Sequence, residues 1–162
     1  MATESTAWLS QRPEWVPRLA ALHHAQWSPL LKHWTLADAQ AELQSHTGGA
    51  CVPSTLVAEV DGALAGSVSL LANDDERIRD FSPWLASLLV LPEHRGRGIG
   101  GRLVRRCVAL AGELGIATLY LYTDDAAAWY ARLGWRRVGG TRLDGVAVDV
   151  MAIDTAAKEQ AA

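Results

Sequence analysis

Residues 84–91 read Trp-Leu-Ala-Ser-Leu-Leu-Val-Leu, with Ser87 the one polar side chain in the run, and the run stops at Pro92. A strand this apolar has no face to offer to water, so it must be covered on both sides. The chain therefore needs a sheet with helices packed on both faces, an α/β or α+β arrangement.

The flanking sequence supplies those elements. Pro13–Gln26 has Val16, Leu19, Leu22 and His23 at spacings that share one helix face. Thr35 with Asp38 predicts a capped helix that ends before Gly48-Gly49. Thr55–Val60, the turn Asp61-Gly62 and Ala63–Leu71 predict a hairpin. Asn73–Arg79 reads as a charged loop. Ile99–Leu114 is a strong helix, with Ile99, Leu103, Cys107, Leu110 and Leu114 on the apolar side and Arg102, Arg105 and Arg106 opposite. Ala117–Tyr122 predicts another strand, followed by a helix capped by Asp124 or Asp125 that runs to Leu133. Trp135–Val138 and Val146–Ile153 close the chain as two strands around Asp144-Gly145. Nothing repeats and no linker interrupts the pattern. The expectation is a single domain over 1–162, with its core in about 7–153 and loose ends at Met1–Thr6 and 155–162.

Charge narrows the functional classes. The net charge is −3, which argues against a nucleic-acid binder, a class that carries a basic face. The two cysteines, Cys51 and Cys107, form no disulfide framework and no metal spacing, so no metal is expected. The beginning lacks a signal-peptide pattern, and no apolar run is long enough to span a bilayer. A cytoplasmic protein with no membrane partner is expected.

Chemistry concentrates after the apolar strand, in Pro92-Glu93-His94-Arg95-Gly96-Arg97-Gly98-Ile99-Gly100-Gly101. A strand leads into a glycine-rich loop that opens a helix. A helix N-terminus carries unpaired N–H groups and the positive dipole end, and glycines let a phosphate reach them. Arg95 and Arg97 add positive charge. The pattern reads as a pyrophosphate cradle. Gly96-x-Gly98-x-x-Gly101 also matches the dinucleotide-binding fingerprint, with Asp124 following a later strand. Against that reading, residues 92–95 separate strand from glycine, arginines flank the loop, and too little chain follows for a second nucleotide-binding half. A P-loop is excluded because no Gly-Lys-Ser/Thr occurs.

Arg95-Gly96-Arg97-Gly98-Ile99-Gly100 resembles the Gln/Arg-x-x-Gly-x-Gly/Ala signature of the GNAT superfamily of acetyl-CoA-dependent N-acetyltransferases. Val90-x-Pro92-Glu93 looks like the end of that family's fourth strand. Trp129-Tyr130-Ala131-Arg132-Leu133-Gly134-Trp135 resembles its Tyr-x-x-x-Gly-Phe segment, with Trp in place of Phe. The resemblance extends over residues 7–153. It implies a mixed, mostly antiparallel central sheet with helices on both faces, and acetyl-CoA as co-substrate. It implies that Gly96, Arg97, Gly98, Ile99, Gly100 and Gly101, with Arg95 beside them, hold the CoA pyrophosphate. Leu88, Leu89 and Val90 would pair with the pantetheine arm through their main chain, as an added strand would. Tyr130 would be the general acid that protonates the departing thiolate. Thr123 stands near the family's arm-binding Asn.

The general base is not marked. Residues 83–87 hold no carboxylate, so Glu59, Asp80 and Glu93 are the candidates, beside a water chain to bulk. His23, His24 and His33 with Trp27, Trp34 and Trp84 either wall an acceptor pocket or, the more ordinary role, pack between helices and sheet. His94 is expected to face solvent. Cys107 lies on the apolar helix stripe and is no nucleophile. The resulting expectation is an N-acetyltransferase acting on a primary amine of a small molecule or peptide, possible as a homodimer. The alternatives are a CoA-binding sensor module of the same fold without turnover and, third, a dinucleotide-dependent oxidoreductase.

Overall fold

The computed structural model describes residues 3–46, 52–72 and 81–156. Cys51, Asp80 and the charged loop 73–79 lie outside the described residues.

The elements follow in the order β1 (Glu4–Trp8), α1 (Val16–Trp27), α2 (Leu36–Ser45), β2 (Ser54–Val60), β3 (Ala63–Leu71), β4 (Trp84–Val90), α3 (Ile99–Glu113), β5 (Thr118–Thr123), α4 (Ala127–Arg132), β6 (Arg136–Leu143) and β7 (Val146–Asp154). They build one seven-stranded sheet of order β1-β2-β3-β4-β5-β7-β6. Only β4 and β5 run parallel, and every other neighbour is antiparallel.

Side-chain alternation divides the core between two faces. Leu56, Ala58 and Val60 of β2 pack with Ile99, Leu103, Cys107 and Leu110 of α3. Val57 of the same strand packs with Leu19 and Ala20 of α1 and Ala39 and Leu43 of α2. Helices therefore cover both faces, and the apolar β4 lies inside the sheet. No described helix is long and apolar enough to cross a membrane.

Several local expectations change. Glu4–Thr6 is not a loose end: β1 pairs along β2 from Glu4↔Val60 to Trp8↔Leu56. A polar five-residue strand carries little signal of its own, but it covers the main chain that β2 would otherwise leave unpaired. The first helix starts as a 3₁₀ turn, Pro13–Trp15. The Thr35–Asp38 capping box forms, with Asp38 N donating to Thr35 Oγ1 at 3.0 Å and Thr35 N to Asp38 Oδ2 at 3.0 Å. Neither Asp124 nor Asp125 caps α4. Thr123 Oγ1 takes the Ala126 N–H instead, at 3.0 Å, because the chain leaves β5 with Thr123 directed at the turn. Thr155 is tied down, its N–H donating to Ala117 O at 2.9 Å and its hydroxyl to Ile116 O.

Candidate functional site

The site begins where the sheet comes apart. β4 and β5 share a single matched pair, Trp84↔Tyr120, supported by Tyr120 N donating to Pro83 O at 3.1 Å. A bulge in β4 lies just beyond. Ser69 faces Ala86 and Ser67 faces Leu89, so Ser87 and Leu88 together oppose Val68. Ser87 takes the left-handed φ of 54°, a local re-aiming of the strand typical of bulges. Past the bulge, Leu91 N donates to Ala65 O at 2.8 Å. Antiparallel alternation then points the Val90 N–H and C=O away from β3, into the gap on the β5 side. There Arg95 Nε donates to Val90 O at 2.9 Å.

The glycine-rich loop sits at the end of β4. A short 3₁₀ turn, Pro92–His94, leads into it, and Gly98 is the residue before α3. Gly96 and Gly98 have φ of 80° and 78°, a region other L-residues avoid. The first bond into α3 runs from Arg102 N to Gly98 O at 3.1 Å, so the amides of residues 99–101 precede the helical ladder and lack an i−4 partner in it. Arg95 and Arg97 are exposed, Ile99 and Gly101 buried. Two glycines at positive φ, amides ahead of the helical ladder and two arginines at the start of a fifteen-residue helix fit a diphosphate. A Cβ on Gly100 would lie 3.5 Å from both Trp129 and Val90 side chains, so this turn packs against α4 and the open edge of β4. His94, expected at the surface, is half-buried, and its Nδ1 has no hydrogen-bond partner among the described residues.

Between the separated strands and the α1–α2 side opens a cleft of about 830 Å³. Leu88, Thr123 and Tyr130 line it, as do Trp27 and Trp34. Tyr130 is 9% exposed, its ring edge-on to Trp129 at 4.9 Å and Trp135 at 6.0 Å. Burial, with the Asp125 charge second, pushes its phenol above the ordinary tyrosine range, so the hydroxyl keeps its proton at neutral pH. Leu89 lies instead in the core against α1. Of the other aromatics, Trp84 and His23 are buried, while His24 Nε2 bonds Trp34 O at 3.1 Å.

Neither described candidate base reaches the cleft. Glu59 is buried against Arg12, Nε to Oε1 2.8 Å, and Glu93 is an exposed partner of Arg18 at 3.9 Å. The cleft carries other acids, Asp38, Glu42, Asp124, Asp125 and Asp144, none of which the sequence marks as a cleft residue; its patterns read Asp38, Asp124 and Asp125 as helix caps and Asp144 as a turn residue. No Lys or Arg lines it among the described residues. Trp34 Nε1 donates to Glu42 Oε1 at 2.9 Å, and burial raises the Glu42 carboxyl above its ordinary range. Asp144 accepts the Lys32 N–H at 3.1 Å. Among the described residues Asp124 and Asp125 have no ion pair. These five come from three separate parts of the chain, so no single motif announces them. They do not converge: among the described residues no three acidic, His or Cys side chains could hold a metal ion.

Residues 19–135 match the sequence model of a family described as acetyltransferase (GNAT). No curated protein sequence matches the chain. Solved structures of similar fold include an acetyltransferase of the GNAT family from Streptococcus pneumoniae, 18% identical, TM-score 0.64, over 96% of this chain and 99% of that one. A putative acetyltransferase from Salmonella typhimurium, solved with acetyl-CoA, is 18% identical, TM-score 0.63, over 99% and 96%. The spermidine N-acetyltransferase of Vibrio cholerae, solved with CoA and spermine, is 18% identical, TM-score 0.67, over 95% of each chain.

Proposed function

The chain belongs to the acetyltransferase (GNAT) family, and from that premise we propose that it moves the acetyl group of acetyl-CoA onto a primary amine of a cationic acceptor, a small molecule or peptide. The observation that carries this reading is the single-pair contact of β4 with β5, opening on a cleft that Tyr130, Leu88 and Thr123 share.

In this reading the amides of residues 96–101 and the charges of Arg95 and Arg97 hold the diphosphate. The main chain of Leu88 and the N–H of Val90, whose carbonyl accepts from Arg95, face the pantetheine amides, and Leu89 backs them from the core. The Thr123 hydroxyl accepts from Ala126 N and keeps its own proton for the arm. The acceptor enters as an ammonium and loses one proton to cleft water. Its nitrogen attacks the thioester carbon; the C–N bond forms and the C–S bond breaks, with the electron pair going to sulfur. Tyr130 gives its proton to that sulfur and recovers one, through water, from the acylated nitrogen. Amide, free thiol and one released proton balance the reaction.

The acceptor's charge is read from the walls. A cleft with five carboxylates and no described Lys or Arg attracts cations, and Trp27 and Trp34 add faces suited to ammonium groups. The scatter of the carboxylates suits an acceptor with several separated charges. The Vibrio cholerae spermidine N-acetyltransferase, a chain of similar fold solved with CoA and spermine, supports a polyamine as the kind of molecule to try.

Thiol release from acetyl-CoA against mono-, di- and polyamines tests the proposal. Turnover is expected to rise with acceptor charge. Tight acetyl-CoA binding without release on any amine would identify a non-catalytic CoA-binding module instead.

A further inference from the structure

Ser67, on β3, is fully buried and stands between two other elements. Its hydroxyl donates to the Ser87 carbonyl in the bulged part of β4 at 3.4 Å. Its Oγ also lies 2.9 Å from Nε2 of His23, on α1. A hydroxyl has one proton to give. The arrangement that satisfies both contacts directs that proton at Ser87 and has Oγ accept from His23, with the ring as the Nε2–H tautomer. Burial holds the imidazole pKa down to about 3, with His46 adding to the effect, so the ring stays neutral across the physiological range.

Ser87 is the residue that needs such support. Its φ of 54° belongs to a region that L-residues enter only when surroundings impose it. The bulge leaves it and Leu88 without one-to-one partners on β3. Both line the cleft. Around the pair lie Leu19, Val57, Leu64 and Leu89 and a second buried polar chain, His46 Nδ1 to Thr55 Oγ1 and Thr55 Oγ1 to Ser69 Oγ, each at 2.8 Å, and apolar groups of like shape could fill the volume of the His23–Ser67 pair. A directional role accounts for a buried polar pair better than packing does.

We propose that His23 and Ser67 are positioning residues: by gripping the Ser87 carbonyl they hold the β4 bulge that turns Ser87 and Leu88 into the cleft and keeps β4 apart from β5. The inference rests on the reading above only in taking this gap as the seat of the thioester arm.

The full chain, Ser67→Ala, His23→Leu and the conservative variants Ser67→Thr and His23→Gln are compared. Backbone amide exchange over residues 86–90 reports the bulge without any cofactor. Affinity for CoA and for acetyl-CoA is measured separately by calorimetry, and kcat and KM with the best amine of the panel. In Ser67→Ala and His23→Leu, exchange over 86–90 is expected to quicken and kcat to fall about tenfold, while CoA affinity and acceptor KM stay within about twofold. Ser67→Thr and His23→Gln should recover most of the loss. Unchanged exchange in Ser67→Ala overturns the proposal. So does a loss in which the conservative variants fall equally and the unfolding midpoint drops with them, since that is packing alone. A parent that binds no acetyl-CoA refutes the acetyltransferase reading, and the exchange arm still decides whether the pair holds the bulge.

Discussion

The Arg102 side chain lies across Gly98, so that a Cβ built on the glycine would stand 2.9 Å from Arg102 Nη1. The same guanidinium donates to Arg97 O at 2.8 Å and through Nε to Glu4 Oε1 at 2.7 Å. One side chain thus ties the glycine loop to strand β1.

Gly98→Val should therefore fail twice. Valine at φ 78° carries backbone strain of about 1–2 kcal/mol, and its branches displace Arg102 from the loop. Calorimetry should find acetyl-CoA affinity lost, and thermal unfolding a midpoint lower by about 3–6 °C. Gly96→Ala isolates the backbone cost to stability: a Cβ there meets no protein atom within 4 Å, so within the fold the strain of φ 80° is what thermal unfolding reads. An unchanged affinity in Gly98→Val would remove the diphosphate from this loop.

Tyr130→Phe keeps the ring among Trp129 and Trp135 and deletes the hydroxyl. Turnover should fall by about 10² or more, the range for loss of a general acid, with acetyl-CoA affinity held within about twofold. Because burial raises the phenol pKa, the parent should show no loss of kcat from tyrosine ionisation below about pH 10, the unperturbed value. A pH–rate profile checks this.

Asp124→Asn and Asp125→Asn remove charge from the β5 side of the cleft without disturbing the α4 turn, which Thr123 closes. Each should raise KM for a triamine several-fold and for a monoamine by less. High salt should reduce the difference between the amines, since screening weakens the field of exposed carboxylates. Equal effects on both amines would show that the carboxylates do not read acceptor charge.

His23 and His46 make the fold sensitive to acid. Burial lowers their pKa from 6.5 to about 3 and about 4. Between those values and 6.5 the unfolded chain binds protons that the folded one refuses. Their stabilising contribution is complete above pH 6.5 and declines as pH falls towards the folded values. Each histidine can cost at most about 1.4 kcal/mol for every pH step of one over that window. Denaturant titrations at neutral and mildly acidic pH should show a smaller acid loss in His46→Asn than in the parent.

The parts of the site that were legible beforehand are those whose chemistry is local. The apolar run ending at Pro92, the glycines at 96, 98, 100 and 101, and the stripe from Ile99 to Leu110 each act within a few residues of themselves. A glycine that must adopt positive φ, or a helix with one apolar face, reveals itself in sequence because neighbouring residues settle its conformation. What stayed hidden depends on partners remote in the chain. Glu4–Trp8 becomes a strand because β2 offers an edge. Glu59 fails as a base because Arg12 reaches it. Ser87 bends because Ser67 and His23, brought there by β3 and α1, hold its carbonyl. The acidity of the cleft belongs to no segment, since α2, the end of β5 and the β6–β7 turn each contribute carboxylates. Sequence alone determined the glycine-rich loop at the start of α3, the two-sided sheet and the family; tertiary structure decided the bulge, the gap and the sign of the cleft, because those arise from the meeting of distant side chains, a meeting that no local periodicity encodes.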